Sequence, residues 1–105
     1  MALTDLTRTG VIPASGTLSL FVTPSARQNW TVQQISISAP TVSALAVGNI
    51  YRNGQFVSFF IPSGDMVGDV PYLPLANGRT LEIRWTNATP GAAVQATLFY
   101  DDGQG

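Results

Sequence analysis

The chain has 105 residues, of which 10% are charged; five basic residues, all arginine, stand against six acidic ones, for a formal net charge of -1. One domain, residues 1–105, with a single closed core suits that length. With neither cysteine nor histidine, the chain has no means to build a disulfide framework, a thiolate or imidazole metal site, or a Ser-His or Cys-His catalytic pair. The near-neutral charge offers no footprint for a nucleic-acid backbone, so no nucleic-acid partner is expected. No apolar run approaches about 18 residues and the N-terminus lacks a basic start, so neither a membrane span nor a signal peptide is expected. Soluble domains average about 25% charged residues. Here hydroxyls, amides and glycine must supply much of the polar surface, which makes that surface easy to desolvate. Part of it is therefore expected to be covered by copies of the chain or by a larger assembly.

Residues 1–16 mix threonine, glycine and proline around scattered apolar anchors and read as an N-terminal arm or a short edge strand. From Thr17 to Thr23, Leu18, Leu20 and Val22 share one face and Phe21 takes the other, until Pro24-Ser25 ends the ladder. Between Asn29 and Ser38, Trp30 and Val32 have the opposite phase to Ile35 and Ile37. A strand that keeps all four on one face needs a bulge near Gln33-Gln34. Ala39-Pro40 marks a turn.

Asn53-Gly54 signals a two-residue type I′ hairpin, because both central residues must accept positive φ. Counting outward, Arg52 faces Gln55, Tyr51 faces Phe56, Ile50 faces Val57, Gly48 faces Phe59 and Val47 faces Phe60. This count assigns Ala46, Ile50, Val57, Phe59 and Ile61 to the core. It leaves Leu45, Val47, Tyr51, Phe56 and Phe60 on a second apolar face, and Tyr51, Phe56 and Phe60 are the candidate interface residues.

Residues 62–77 carry Pro62, Gly64, Gly68, Pro71 and Pro74 and read as a loop, with short extended pieces at Met66-Val67 and Tyr72-Leu73. Asn77-Gly78 turns the chain into the clearest strand. There Leu81, Ile83 and Trp85 alternate with Glu82 and Arg84, which would face solvent or a partner. Val94, Ala96, Leu98 and Tyr100 repeat the period after the turn formers of residues 87–91, and the two halves are expected to pair as a hairpin. Residues 101–105 should fray. With no amphipathic helix, the expected fold is all-β: an antiparallel β-sandwich of seven or eight strands, with jelly-roll and immunoglobulin-like connectivity both open.

Asp65, Asp69, Asp101 and Asp102 lack the spacing of a calcium loop. Glu82 on an alternating strand face reads more simply as a solvated or arginine-paired residue than as half of a glycosidase pair. Among the rings that could stack on a sugar, Trp30 and Trp85 share faces with aliphatic residues and belong to the core, leaving Tyr51 and Tyr72. Asn29-Trp30-Thr31 and Asn87-Ala88-Thr89 match the glycosylation pattern but mean little without a secretory signal. No catalytic, cofactor-binding or metal-binding residues are expected, and the chain does not read as an enzyme.

The segments NWTVQQISISAP, IYRNGQFV and DVPYLPLANGRTLEIRWTNATPGAAVQATLFY together resemble small β-sandwich virion proteins of tailed bacteriophages, especially those infecting actinobacteria. The likeness spans roughly residues 17–102 and rests on Trp30-Thr31-Val32, Tyr51-Arg52-Asn53-Gly54, the approach from Pro71-Tyr72 to Asn77-Gly78, and Trp85-Thr86 followed by Thr89-Pro90-Gly91. It implies a structural role in the virion without site residues, such as decorating a capsid or completing a tail; the leading expectation is a minor capsid or decoration protein that binds the major capsid protein and stabilises the shell. The alternative is a carbohydrate-binding or host-adhesion module of the tail. The expected partners are the major capsid protein or another virion protein and further copies of the chain, as a homo-oligomer that would be a trimer at capsid local three-fold positions.

Overall fold

The structure, a computed structural model, describes residues 3–24, 28–43, 45–60, 64–76 and 78–101, with the backbone alone for residues 3 and 66–72. Eight strands follow in order: β1 (Leu3–Val11), β2 (Leu18–Val22), β3 (Trp30–Ala39), β4 (Val47–Arg52), β5 (Gln55–Phe60), β6 (Gly64–Leu75), β7 (Leu81–Thr86) and β8 (Ala93–Asp101). There is no helix among the described residues. The strands form two four-stranded sheets, in the orders β1-β8-β3-β6 and β2-β7-β4-β5. Every recorded pairing is antiparallel. The sheets pack as a β-sandwich.

Period-two alternation fills the space between the sheets. Ile35, Ile37, Val94, Ala96 and Leu98 from the first sheet meet Leu20, Val22, Ile50, Leu81, Ile83 and Trp85 from the second, all buried. Trp30 and Val32 stay in phase with Ile35 and Ile37 because β3 bulges between Val32 and Gln34, against both β6 and β8. The bulge lies where the phase conflict in the sequence required one. Trp30 stacks on Tyr100 with centroids 3.9 Å apart, and its indole N–H donates to the Gln28 side-chain oxygen at 2.9 Å, so the polar edge of a buried ring is satisfied.

Strands β7 and β8 do not form the hairpin that their adjacency suggested. They lie in opposite sheets, and residues 87–92 carry the chain across the sandwich. Leu81, Ile83 and Trp85 must cover one side of the core while Val94, Ala96 and Leu98 cover the other. Pairing the strands in one sheet would leave the second layer unfilled. This crossing runs beside the one from β1 to β2: Ile12 N–H donates to Ala92 O, Gly91 N–H to Ile12 O and Ala88 N–H to Gly16 O, at 2.8–2.9 Å. Each crossing thereby supplies the backbone partners the other needs.

Residues 64–75 are also a strand, where a loop was expected. Its prolines are tolerated because β6 is the edge of its sheet, where a missing N–H costs no ladder bond. Pro71 falls in the stretch, between Asp69 and Leu73, where the register with β3 breaks. The N-terminal strand β1 is likewise an edge, nine residues long and paired with β8. The frayed tail expected for 101–105 lies outside the described residues apart from Asp101, which closes β8; Ile61, Pro62 and Asn77 also lie outside them.

The Asn53-Gly54 turn forms as its dipeptide predicts, with φ of 50° and 84°. Beyond its first two pairs the counted register fails. Tyr51 pairs with Phe56, but Ile50 pairs with Ser58, so Val57 is an extra residue in β5 and everything after it shifts by one. Gly48 consequently faces Phe60, and Phe60 is core while Phe59 is 77% exposed. In the row Leu18, Trp85, Gly48, Phe60 the glycine leaves room for the Phe60 ring to meet Trp85 edge-on, with centroids 5.2 Å apart. A Cβ at Gly48 would stand 2.6 Å from that ring.

Candidate functional site

The outward face of the second sheet carries the only ion pair among the described residues. Cross-strand pairing sets out its rows. Phe21 of β2, Glu82 of β7, Tyr51 of β4 and Phe56 of β5 lie abreast, and the next row holds Ser19, Arg84, Asn49 and Phe59. Each occupies its place because its strand's alternate residues are committed to the core.

A polar chain runs across the face. Ser19 Oγ donates to Glu82 Oε2 at 2.6 Å, and Arg84 Nε donates to the same oxygen at 2.7 Å. The Arg84 guanidinium lies over the Tyr51 ring, 4.4 Å from its centroid, and Asn49 Nδ2 donates to Tyr51 Oη at 3.3 Å. Phe56 meets Tyr51 edge-on at 6.1 Å. Side chains from all four strands are thus linked before any partner arrives. Burial alone would push the Glu82 carboxyl up, but hydrogen bonds from Arg84 and Ser19, with the Arg84 charge, outweigh it and hold the group below the ordinary carboxylate range. The Glu82 side chain is only 13% exposed, so it is fixed as a charged, paired group.

Around this chain the surface is apolar. Phe59 and Phe56 are 77% and 59% exposed, Val47 on β4 is 48% exposed, and Phe21 flanks the far side. Leu45, two residues before Val47, is held at the end of the face where its carbonyl accepts from Asn87 Nδ2 at 3.2 Å and its N–H donates to Ser43 Oγ at 3.1 Å. Phe56, Phe59, Val47 and Leu45 expose roughly 400–500 Å² of apolar side chain if a phenylalanine presents about 200 Å². That is the size of the largest, often functional, patch on a small domain.

Of the three candidate interface residues, the structure brings Tyr51 and Phe56 together on this face and puts Phe60 in the core. The count from the turn missed the bulge at Val57, and Phe59 takes the place assigned to Phe60. Glu82 and Arg84 were legible as a pair, since residues two apart on a strand share a face; their link through Tyr51 to Phe56 was not, because it depends on which strands are neighbours. As a stacking platform Tyr51 has one ring face covered by Arg84, and the Tyr72 side chain lies outside what the structure describes.

No group of three or more candidate metal ligands occurs among the described residues. Asp65 accepts from Ser38 Oγ at 2.7 Å. A shallow depression beside the Asn53-Gly54 turn is lined by Arg52, Gln55, Pro74, Ala76 and Arg79, with no carboxylate among its described lining residues. The arrangement with the most organised chemistry is the aromatic face, where exposed rings surround one satisfied ion pair. Compared with protein-family models and with curated protein sequences, the chain matches none.

Proposed function

We propose that this chain is a non-enzymatic structural protein of a tailed-phage virion, a decoration or minor capsid protein that lays the outward face of its second sheet on the major capsid protein and stabilises the shell. The observation that carries the reading is that face: exposed rings of Phe56 and Phe59 beside an Arg84–Tyr51 stack, held on four hydrogen-bonded strands. Aromatics and arginine concentrate at the desolvated centres of protein interfaces, and rigidity lowers the entropic cost of docking. The low charge of the chain supports the same reading, since little electrostatic repulsion opposes close association.

We further assign the sandwich to the jelly-roll type. Strand orders β1-β8-β3-β6 and β2-β7-β4-β5 support it, as does the chain's change of sheet at every connection except the β4–β5 hairpin. Jelly rolls recur in viral capsid domains and also in lectins. The second reading, a glycan-binding adhesion module, draws on the exposed Phe59 ring.

Co-sedimentation with purified capsids separates the two. Binding to shells that falls on Phe56→Ala, with no signal on a glycan array, is the expected result. Glycan binding lost on Phe59→Ala, without shell binding, would replace the proposal with the adhesion module.

A further inference from the structure

Strand β5 is an edge of the second sheet, and of the devices that keep edges from pairing it has only the bulge at Val57. Its residues Gln55, Phe56, Val57, Ser58, Phe59 and Phe60 include no charge and no proline. The edges of the first sheet are guarded: β1 carries Asp5 and Arg8, and β6 carries Asp65, Asp69, Pro71 and Pro74. The remaining edge, β2, is also uncharged but spans five residues and stops short of the buried Pro24.

The hairpin fixes which groups point outward from β5. In a two-residue hairpin Arg52 and Gln55 exchange hydrogen bonds, so the N–H and C=O of Phe56, one pair further on, point away from β4. Past the bulge Ile50 pairs with Ser58 and Asn49 with Phe59, and by the same alternation the backbone groups of Phe59 also point to the free edge. Residues three apart on a regular strand lie on opposite faces. The extra residue Val57 puts both Phe56 and Phe59 on the outward face.

We infer that two copies of this chain pair antiparallel through β5, about a two-fold axis between Val57 and Ser58, with Phe56 of each copy opposite Phe59 of the other. The segment is self-complementary in that register: backbone groups meet at both aromatic positions, and two cross-strand phenylalanine pairs form on one face. A second copy is favoured over an unrelated strand because the spacing that matches Phe56 to Phe59 is the segment's own. The pairing joins the sheets edge to edge, leaves the outward faces uncovered and sets them side by side as one eight-stranded surface. It stands independently of the shell reading and is testable on the purified protein alone.

Sedimentation velocity on the wild-type chain at micromolar concentration should give a dimer, and Phe59→Lys should weaken dimerisation roughly tenfold or more while circular dichroism stays that of the folded chain. Phe21→Lys on the opposite edge should leave the dimer unchanged. If Phe59→Lys fails to fold, Phe59→Ser serves in its place. The register has its own test, because the natural chain has no cysteine. Phe56→Cys and Phe59→Cys chains mixed and oxidised should cross-link to each other, since opposed residues lie about 5.5 Å apart at Cα, within disulfide reach; neither variant alone should do so. A monomeric or trimeric wild type, a dimer indifferent to Phe59→Lys, or self-cross-linking of either single variant would overturn the inference.

Discussion

The outward faces of the two sheets arise from the same alternation and carry different chemistry. On the first sheet the outward rows are mostly polar: Thr7 and Thr97 share a hydrogen bond at 2.9 Å across β1 and β8, with Gln95, Ser36 and Ser38 alongside, the half-buried Phe99 opposite Asp5, and Val11 exposed at the end of β1. Exposed hydroxyls and amides of this kind exchange hydrogen bonds with water for others of similar worth, so covering them would gain little. On the second sheet a single ion pair is ringed by phenylalanine, valine and leucine whose carbon is already out in solvent. Removing that carbon from water is favourable at roughly 25 cal/mol per Å². The polar links beneath it, Ser19 to Glu82 to Arg84 to Tyr51, are already made, so docking need not leave a charge unpaired. A chain with few charges can therefore still direct association to one side.

The largest effect that tests this contrast separates two neighbouring residues. Phe60→Ala, which empties the space beside Trp85, should cost about 3–5 kcal/mol in chemical denaturation. Phe59→Ala, one residue away on the outward side, should change the stability of the isolated domain by no more than about 0.5 kcal/mol. Equal losses would mean that the two faces of β5 are not distinct. The sequence count from Asn53-Gly54 assigned these rings the other way round, so the pair of measurements also tests the bulge.

Next in size is adhesion. Phe56→Ala should weaken binding to capsids by about 2 kcal/mol, close to thirtyfold, while its melting temperature stays near that of the wild type. Thr97→Ala on the first sheet should leave binding unchanged. A binding loss at Thr97 matching that at Phe56 would remove the distinction between the faces. Gly48→Ala tests the support under the aromatic face, since its Cβ would meet the Phe60 ring at 2.6 Å. Overpacking of that kind should lower stability by about 1–3 kcal/mol, visible as a lower midpoint in urea.

The smallest effect is electrostatic. Because the Glu82 carboxyl titrates lower in the folded chain than in the unfolded one, its contribution is fully present above the ordinary carboxylate range. It is lost as pH falls through the depressed folded value. Glu82→Gln should therefore flatten part of the acid limb of the stability curve and leave the neutral region lower by no more than about 1 kcal/mol. An acid limb unchanged by the substitution would show that the pair with Arg84 contributes nothing to folding.

Local pattern alone determined a good deal of this protein. Alternation marks the strand at residues 81–86, the phase conflict between Trp30-Val32 and Ile35-Ile37 marks the β3 bulge, and Asn53-Gly54 marks a turn because those residues tolerate positive φ. Each is a property of residues a few positions apart, so it can be read without knowing what packs where. Tertiary structure decided the partners. β7 and β8 lie in opposite sheets because both layers of the core need covering, and β6 is a strand despite its prolines because it sits at an edge. Phe60 points inward because Trp85 and Gly48 leave a ring-sized space there, and β5 admits Val57 as an extra residue to fill it. A one-residue slip reverses every later side chain on a strand, so the identity of the aromatic face rested on a contact between strands that lie far apart in the chain.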